Sequence, residues 1–459
     1  MNLAEGTPLH ELTAVKAARR IRAGTLTAEA LVRACLARIE QLEPSLKAWA
    51  YLKPEQGLKQ AQSVDAALGQ GEDPGPLAGI PVGIKDIFNT ADMPTQMGSP
   101  LWSGYTPGND ARVVFSIRQA GGIILGKTVT AEFAVHTPGP TVNPHHPEHS
   151  PGTSSSGSAA AVAAGMVPLS LGSQTAGSAI RPASYCGIYG FKPSFGLIPR
   201  TGSLKTTDSL DTVAFFARCV EDLELFFEVV RVKGQDYPLA ETFLNDPARR
   251  KPAGRPWRIA LVKGPQWSHA ENYAQGALQK FASKLAGMEE IDIEEKEPPL
   301  EMEEAHQVHE TIYDKALSHY FKQEFLKKQL VSPTLQAMIL HGQKISVNEY
   351  RQALQRQAEL ARLLDRWFED GVDFLLTLST SGEAPKGLQT PDRPDSCLVW
   401  TLCGVPAINL PVFTSPAGLP FGAQVVARRY NDFQLLEFAR ALSKKGWVRE
   451  EEPAEETWR

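Results

Sequence analysis

The chain has 459 residues, 42% of them apolar and 22% charged, with a formal net charge of −5. That is the composition of a globular protein with a sizeable core, in two or three domains by length alone. No basic tract stands out, so nucleic acid is not an expected partner, and the most apolar helix-like stretch, Ala159–Leu171, is short of the ~20 residues that a membrane span needs.

In chain order, Leu9, Leu12, Val15 and Ala18 recur at helical spacing up to Gly24. Thr27 is the expected N-cap of a second helix, which Pro44 should end. Glu55–Leu68 reads as a helix, Val82–Ile84 as a short strand carrying Lys85 at its end, Ala111–Ala120 as a helix and Ile123–Gly126 as a buried strand. A narrow Ala/Val helix is expected at Ala159–Ala164, with strands at Val167–Leu171 and Ile188–Phe191. Thr207–Glu228 has the periodicity of one long helix or two broken ones. Past the Pro/Gly/Arg-rich Arg249–Arg255, a strand is expected at Ile259–Val262, a helix at Glu271–Leu285 and a strand at Glu290–Glu294. Met302–Phe368 is charged and helical. Phe374–Leu378, Val399–Asn409 and Ala423–Val426 return to the core, before a helix at Asp432–Lys444 and an acidic tail at Glu450–Glu456. Strands alternating with helices predict an α/β fold. The expected organisation is 1–70 as helices packed on the core, 71–235 as a catalytic core, 236–370 as a mainly helical excursion, and 371–459 completing a single α/β core.

Several chemistries find no support. The Gly-rich loops match neither a Walker pattern nor G-x-G-x-x-G. His136, His145, His146 and His149 cluster, but turn-formers separate them and no H-E-x-x-H occurs, so they read as loop polarity and no metal is expected. Cys35, Cys186, Cys219, Cys397 and Cys403 form no C-x-x-C pair and read as reduced thiols of a cytoplasmic protein; no basic-then-apolar leader is seen at the N-terminus.

What remains is Ser150–Gly196, where two Gly/Ser-rich loops expose backbone amides and present Ser154, Ser155, Ser173, Thr175 and Ser178. A serine becomes a nucleophile only when another group takes its proton. Lys85, in G-I-P-V-G-I-K-D, is the best candidate base. Asp86 beside it should point to the opposite face of the strand. Taken alone, a strand-end lysine is usually a surface charge and a loop serine usually a cap.

Together these stretches resemble the amidase signature family. The resemblance rests on Gly79–Asp86, on P-G-T-S-S-S-G-S-A-A-A-V-A at Pro151–Ala163, and on Q-T-A-G-S-A-I-R-P-A-S-Y-C-G-I-Y-G-F-K-P at Gln174–Pro193. P-A-I-N-L-P at Pro406–Pro411 and G-L-P-F-G-A-Q at Gly418–Gln424 extend it over most of the chain, most weakly across 240–370. It implies a central mixed, twisted β-sheet covered on both faces by helices. It implies Lys85 as base, Ser154 as a bridging serine after a cis Thr153–Ser154 bond, and Ser178 as nucleophile. The amides around Thr175, Ala176, Gly177 and Ser178 would form an oxyanion hole, with Ser155 and Ser173 orienting the network. No metal or organic cofactor is implied. Arg181 falls where some members hold an acidic substrate, with a structural role as the other reading. Met97 lies in a loop, Met93–Ser99, that could wall a pocket for an aliphatic or aromatic acyl group.

Thr153 and Ser156 replace usual glycines, and Gln174-Thr175-Ala176-Gly177-Ser178 replaces the usual D-T-G-G-S. These departures tilt the expectation toward a stand-alone amidase. It would hydrolyse a small-molecule amide to a carboxylate and ammonia or an amine through a Ser178 acyl-enzyme, as a monomer or homodimer. The alternatives are the A-type subunit of a glutamyl-tRNA amidotransferase, an esterase, or a catalytically inactive binding protein.

Overall fold

Short apolar runs from the whole length of the chain assemble into one mixed sheet of eleven strands. The computed structural model describes residues 7–246, 250–251 and 255–448; the acidic tail and part of Arg249–Arg255 lie outside them. The strands are β1 Trp49–Leu52, β2 Pro81–Lys85, β3 Ile123–Thr128, β4 Leu169–Gln174, β5 Tyr189–Lys192, β6 Thr212–Ala217, β7 Trp257–Val262, β8 Ile291–Lys296, β9 Phe374–Leu378, β10 Ala407–Thr414 and β11 Pro420–Ala427. Their order is β1-β3-β2-β4-β6-β5-β10-β11-β9-β7-β8. β3, β2 and β4 run parallel, as do β9, β7 and β8, and the remaining pairings are antiparallel.

Burial explains the sequence of each strand. β2, β3, β6 and β9 are buried at every position, which requires cover on both faces and makes them largely apolar, apart from the buried Lys85 and Lys127 that β2 and β3 carry. β8 sits at the edge, and its I-D-I-E-E-K sequence turns charges to solvent, which discourages pairing with another chain.

Two expectations change. Thr207–Glu228 is not a helix throughout: it holds β6 and then the helix Val220–Val230. Short apolar runs carry no clear period, and the β-branched and aromatic T-V-A-F-F-A fits a fully buried strand. Pro44 does not stop its helix, which runs Ala28–Leu46 and ends where Lys47 turns left-handed at φ 55°.

The segment after β8 supplies the helices Ala305–Tyr320, Pro333–Lys344 and Val347–Glu369. Ile312, Tyr313 and Leu317 of the first join Met97, Phe133 and Ile180 in an apolar cluster distinct from the main core.

The helix Ser156–Ala163 lies under the loop that carries Ser154, and small residues let it approach the sheet. A β-carbon at Gly157 would stand 2.3 Å from the Ala48 carbonyl oxygen and 2.4 Å from Val129 N. Overpacking of this kind costs about 1–3 kcal/mol. Gly157→Ala should therefore melt several degrees below the parent. Gly276→Ala, with nothing within 4 Å of the new methyl, should gain about 0.5–1 kcal/mol in its helix. Thermal melts of the two variants check both signs.

Candidate active site

Three parallel strands end at one edge of the sheet. Lys85 is the last residue of β2, Thr128 ends β3 opposite it, and Ser173 lies near the end of β4. The loops leaving these ends carry Ser154 and Ser178, at the carboxyl ends of strands where open α/β sheets place their ligands.

Lys85 is completely buried, and Nζ lies 2.6 Å from Ser154 Oγ, 3.0 Å from Ser155 Oγ and 2.9 Å from Ser173 Oγ. Among the described residues no carboxylate pairs with it. Burial pushes its pKa well below the usual lysine value, against a smaller opposing pull from the Asp211 charge. Asp86 turns to the other face, where it pairs with Lys127 at 3.2 Å.

The hydroxyls around Nζ are not equivalent. Ser155 Oγ–H donates to the Ser173 carbonyl at 3.2 Å, so Ser155 can only accept from Lys85. Ser154 has no such commitment: Thr130 Oγ1 holds its carbonyl at 2.9 Å, and its own proton has no other acceptor among the described residues. A neutral amine has two N–H donors and one lone pair, which matches donation to Ser155 and to one of Ser154 and Ser173, with acceptance from the other. Gly172 makes this possible, because a β-carbon there would press on Ser155 Oγ at 3.1 Å and Phe216 at 2.6 Å.

The Thr153–Ser154 bond differs from expectation. Every peptide bond among the described residues is trans. The trans bond already brings Ser154 Oγ to Lys85, so nothing offsets the ~3–4 kcal/mol of a non-prolyl cis form. Thr153, standing where a glycine was usual, anchors its Oγ1 on Asp392.

Ser178 lies on the turn between β4 and the helix Ile180–Tyr185, is partly exposed, and makes no hydrogen bond among the described residues. The turn is fixed from its flanks. Gln174 Oε1 accepts from the Ala179 and Ile180 amides at 2.9 and 3.0 Å, the contact a carboxylate would make, without the charge. Thr175 Oγ1 donates to Asp211 at 2.9 Å. Asp211 also gathers the Thr206 and Thr207 amides and hydroxyls at 2.6–3.0 Å. Ala176 keeps φ out of the left-handed region, so its methyl is tolerated. A β-carbon at Gly177 would meet Arg181 Nη2 at 2.7 Å and push the guanidinium from its place.

Arg181 is held by Asp395 at 2.6 Å and Asp392 at 3.2 Å. These two carboxylates keep its pKa well above the usual value in spite of burial. Met97 is buried in the apolar cluster of Phe133, Ile180 and Tyr313, and its amide donates to the carbonyl of Asp86, next to Lys85, at 3.0 Å. Met97, Phe133 and Ala134 all adopt left-handed φ, at 56°, 48° and 58°, and the Phe133 amide donates to Met97 O at 2.7 Å. Ala134, with Ile87, Phe88, Ser173, Thr175 and Asp211, lines a narrow cavity beside this network.

Three of the four loop histidines bond the backbone, while the His136 ring faces Tyr313 edge-on with centroids 6.3 Å apart. His145 Nε2 meets the Cys186 carbonyl at 2.9 Å and His149 Nδ1 the Ala384 carbonyl at 2.8 Å, while His146 Nδ1 accepts from the Glu148 amide at 3.3 Å. All five cysteines are buried and free. Among the described residues no helix is long and apolar enough to cross a membrane.

Known proteins resemble this chain over most of its length. The family model Amidase matches residues 30–436. The chain is 30% identical to the A-type subunit of the glutamyl-tRNA(Gln) amidotransferase of Natranaerobius thermophilus, over 95% of this chain and 96% of that one. It is 31% identical to a Mycobacterium bovis protein provisionally named amidase AmiD, over 95% and 94%. The structure of a peptide amidase from Stenotrophomonas maltophilia superposes with a TM-score of 0.84 at 27% identity, over 98% of this chain and all of that one. The chain belongs to the amidase signature family and is an amide-hydrolysing enzyme.

Proposed function

We propose that the protein is a stand-alone amidase that cleaves a small carboxylic amide through an acyl-enzyme on Ser178. The observation that carries this reading is the buried Lys85 amine, which among the described residues has no counterion and is bonded only to serines. Neutral Lys85 takes the Ser154 proton while Ser154 takes that of Ser178, so the nucleophile is activated through a relay. Ser178 Oγ attacks the carbonyl, and the amides of the 175–178 turn receive the oxyanion, where one donor is typically worth ~3–4 kcal/mol. The ammonium of Lys85 returns its proton through Ser154 to the leaving nitrogen. Water, activated by the same relay, then releases the carboxylate and restores Ser178. An ester could follow the same path with a less demanding leaving group.

The likeness to amidotransferase A-type subunits favours a second reading, in which the chain works on glutamine beside partner proteins. Two features support the first. Gln174 stands where D-T-G-G-S has a carboxylate, and the Arg181 charge is already taken by Asp392 and Asp395. A substrate carboxylate would have to displace one of them. The purified chain should release ammonia from hexanamide and from shorter neutral amides, at least ~10-fold better in kcat/KM than from an equal-length amide ending in a carboxylate, and Ser178→Ala should abolish release. Glutamine turnover that appears only with added partner proteins would establish the second reading instead.

The pH profile follows from Lys85. Its base form is lost as pH falls through its depressed pKa, so kcat/KM should drop on the acid side and hold a plateau above it. Asp211 favours the ammonium form; Asp211→Asn should therefore move the acid limb to lower pH, and should melt lower because Asp211 serves so many donors. Rate–pH profiles of parent and variant give the direction.

A further inference from the structure

The turn that carries Ser178 shows a pattern across three consecutive peptide units. The Thr175 carbonyl accepts from His309 Nε2 at 2.9 Å, the Ala176 carbonyl from Thr401 Oγ1 at 2.8 Å, and the Gly177 carbonyl from the Arg181 amide at 2.9 Å. The amides of Ala176, Gly177 and Ser178 donate to no acceptor among the described residues. All three units are trans, so each N–H points away from the carbonyl to which it is bonded. In each unit the held carbonyl therefore leaves its own N–H free on the opposite side.

We propose that His309 and Thr401 are positioning residues that aim the oxyanion-hole amides by gripping the carbonyls behind them. The proposal rests on the reading of Ser178 as nucleophile. Neither residue is near the turn in sequence. His309 comes from the helix Ala305–Tyr320 and Thr401 from the helix Cys397–Leu402.

Each is prepared for one task. A carbonyl can only accept, so His309 must carry its proton on Nε2. It is buried, its ring meets Tyr313 edge-on with centroids 5.6 Å apart, and burial lowers its pKa to about 4, which keeps it neutral at ordinary pH. Thr401 Oγ1 accepts from Gln174 Nε2 at 2.9 Å, which directs its own proton to the Ala176 carbonyl; its other acceptor, the Cys397 carbonyl, is farther at 3.3 Å. Gln174 thereby links the Thr401 grip to the Ala179 and Ile180 amides that start the next helix.

Donor direction matters most in the transition state, where negative charge has gathered on the oxygen. Losing a grip should lower kcat and leave substrate binding nearly intact. The test compares Thr401→Val, which keeps the shape and loses the hydroxyl, with Thr401→Ser, and His309→Leu with His309→Gln. Hexanamide turnover is measured beside the affinity for an alkyl trifluoromethyl ketone, which forms a tetrahedral anion on the serine. Thr401→Val and His309→Leu should lose about 10–100-fold in kcat, within the range of a weakened oxyanion donor. KM should change less than ~3-fold, and affinity for the ketone should fall by the same factor as kcat/KM; Thr401→Ser and His309→Gln should recover most of both. Thr401→Val carries the test where His309→Leu does not fold. Full ketone affinity in Thr401→Val, whatever its turnover, would overturn the proposal. Ser178→Ala separates the two levels. If it is inert while Thr401→Val is unchanged, the positioning role alone fails; if it keeps turning over, the nucleophile assignment fails first and the proposal with it.

Discussion

The structure depends on an amine buried without a counterion. Leaving an ammonium uncompensated in the interior costs several kcal/mol, and the usual escape is to lose the proton. Two other buried lysines show the alternatives. Lys127 meets Asp86, and burial lowers its pKa only to about 8. Lys192 donates to the Val405 and Pro193 carbonyls and sits at about 7, with Asp432 favouring its charged form. Of the three, Lys85 alone is ringed by hydroxyls, which can give as well as take a proton. In the proposed mechanism, the same environment that makes it a poor ion makes it a usable base.

Everything around Lys85 serves to keep that arrangement dry and fixed. The parallel trio β3-β2-β4 brings Lys85 and Ser173 to one edge. The small-residue helix Ser156–Ala163 lies against β2 and β4 and holds Ser154 and Ser155 over it. Asp211, at the junction of its turn with β6, ties Thr175 and restrains how far the Lys85 pKa falls. The segment between β8 and β9 is not mere cover, since Tyr313 reaches the apolar cluster and His309 the turn that carries Ser178.

The loops carrying Ser154 and Ser178 are legible in the sequence because their residues are close together and have few other uses at that spacing. Lys85, Ser154, Ser155 and Ser173 can be named from the chain and meet within 3.0 Å. Asp211, His309, Asp392, Asp395 and Thr401 cannot, because the residues around Ser154 and Ser178 to which they bond lie 36 to 239 positions away and an isolated aspartate or threonine carries no local signal. Arg181 is visible in the chain, but only the structure shows its charge satisfied by two aspartates. β6 escapes a reading by periodicity because a buried strand and a buried helix share the same apolar composition over six residues. The cis form of the Thr153–Ser154 bond rests on resemblance alone, and Thr153 itself marks the departure.

The central claim is that Lys85, through Ser154, makes Ser178 the one activated serine. Exposure of the intact chain to an alkyl fluorophosphonate, followed by whole-protein mass and peptide mapping, tests it most directly. The account predicts one adduct, on Ser178, absent in Ser178→Ala and formed far more slowly in Lys85→Ala. An adduct on another serine, formed at the same rate without Lys85, would contradict it.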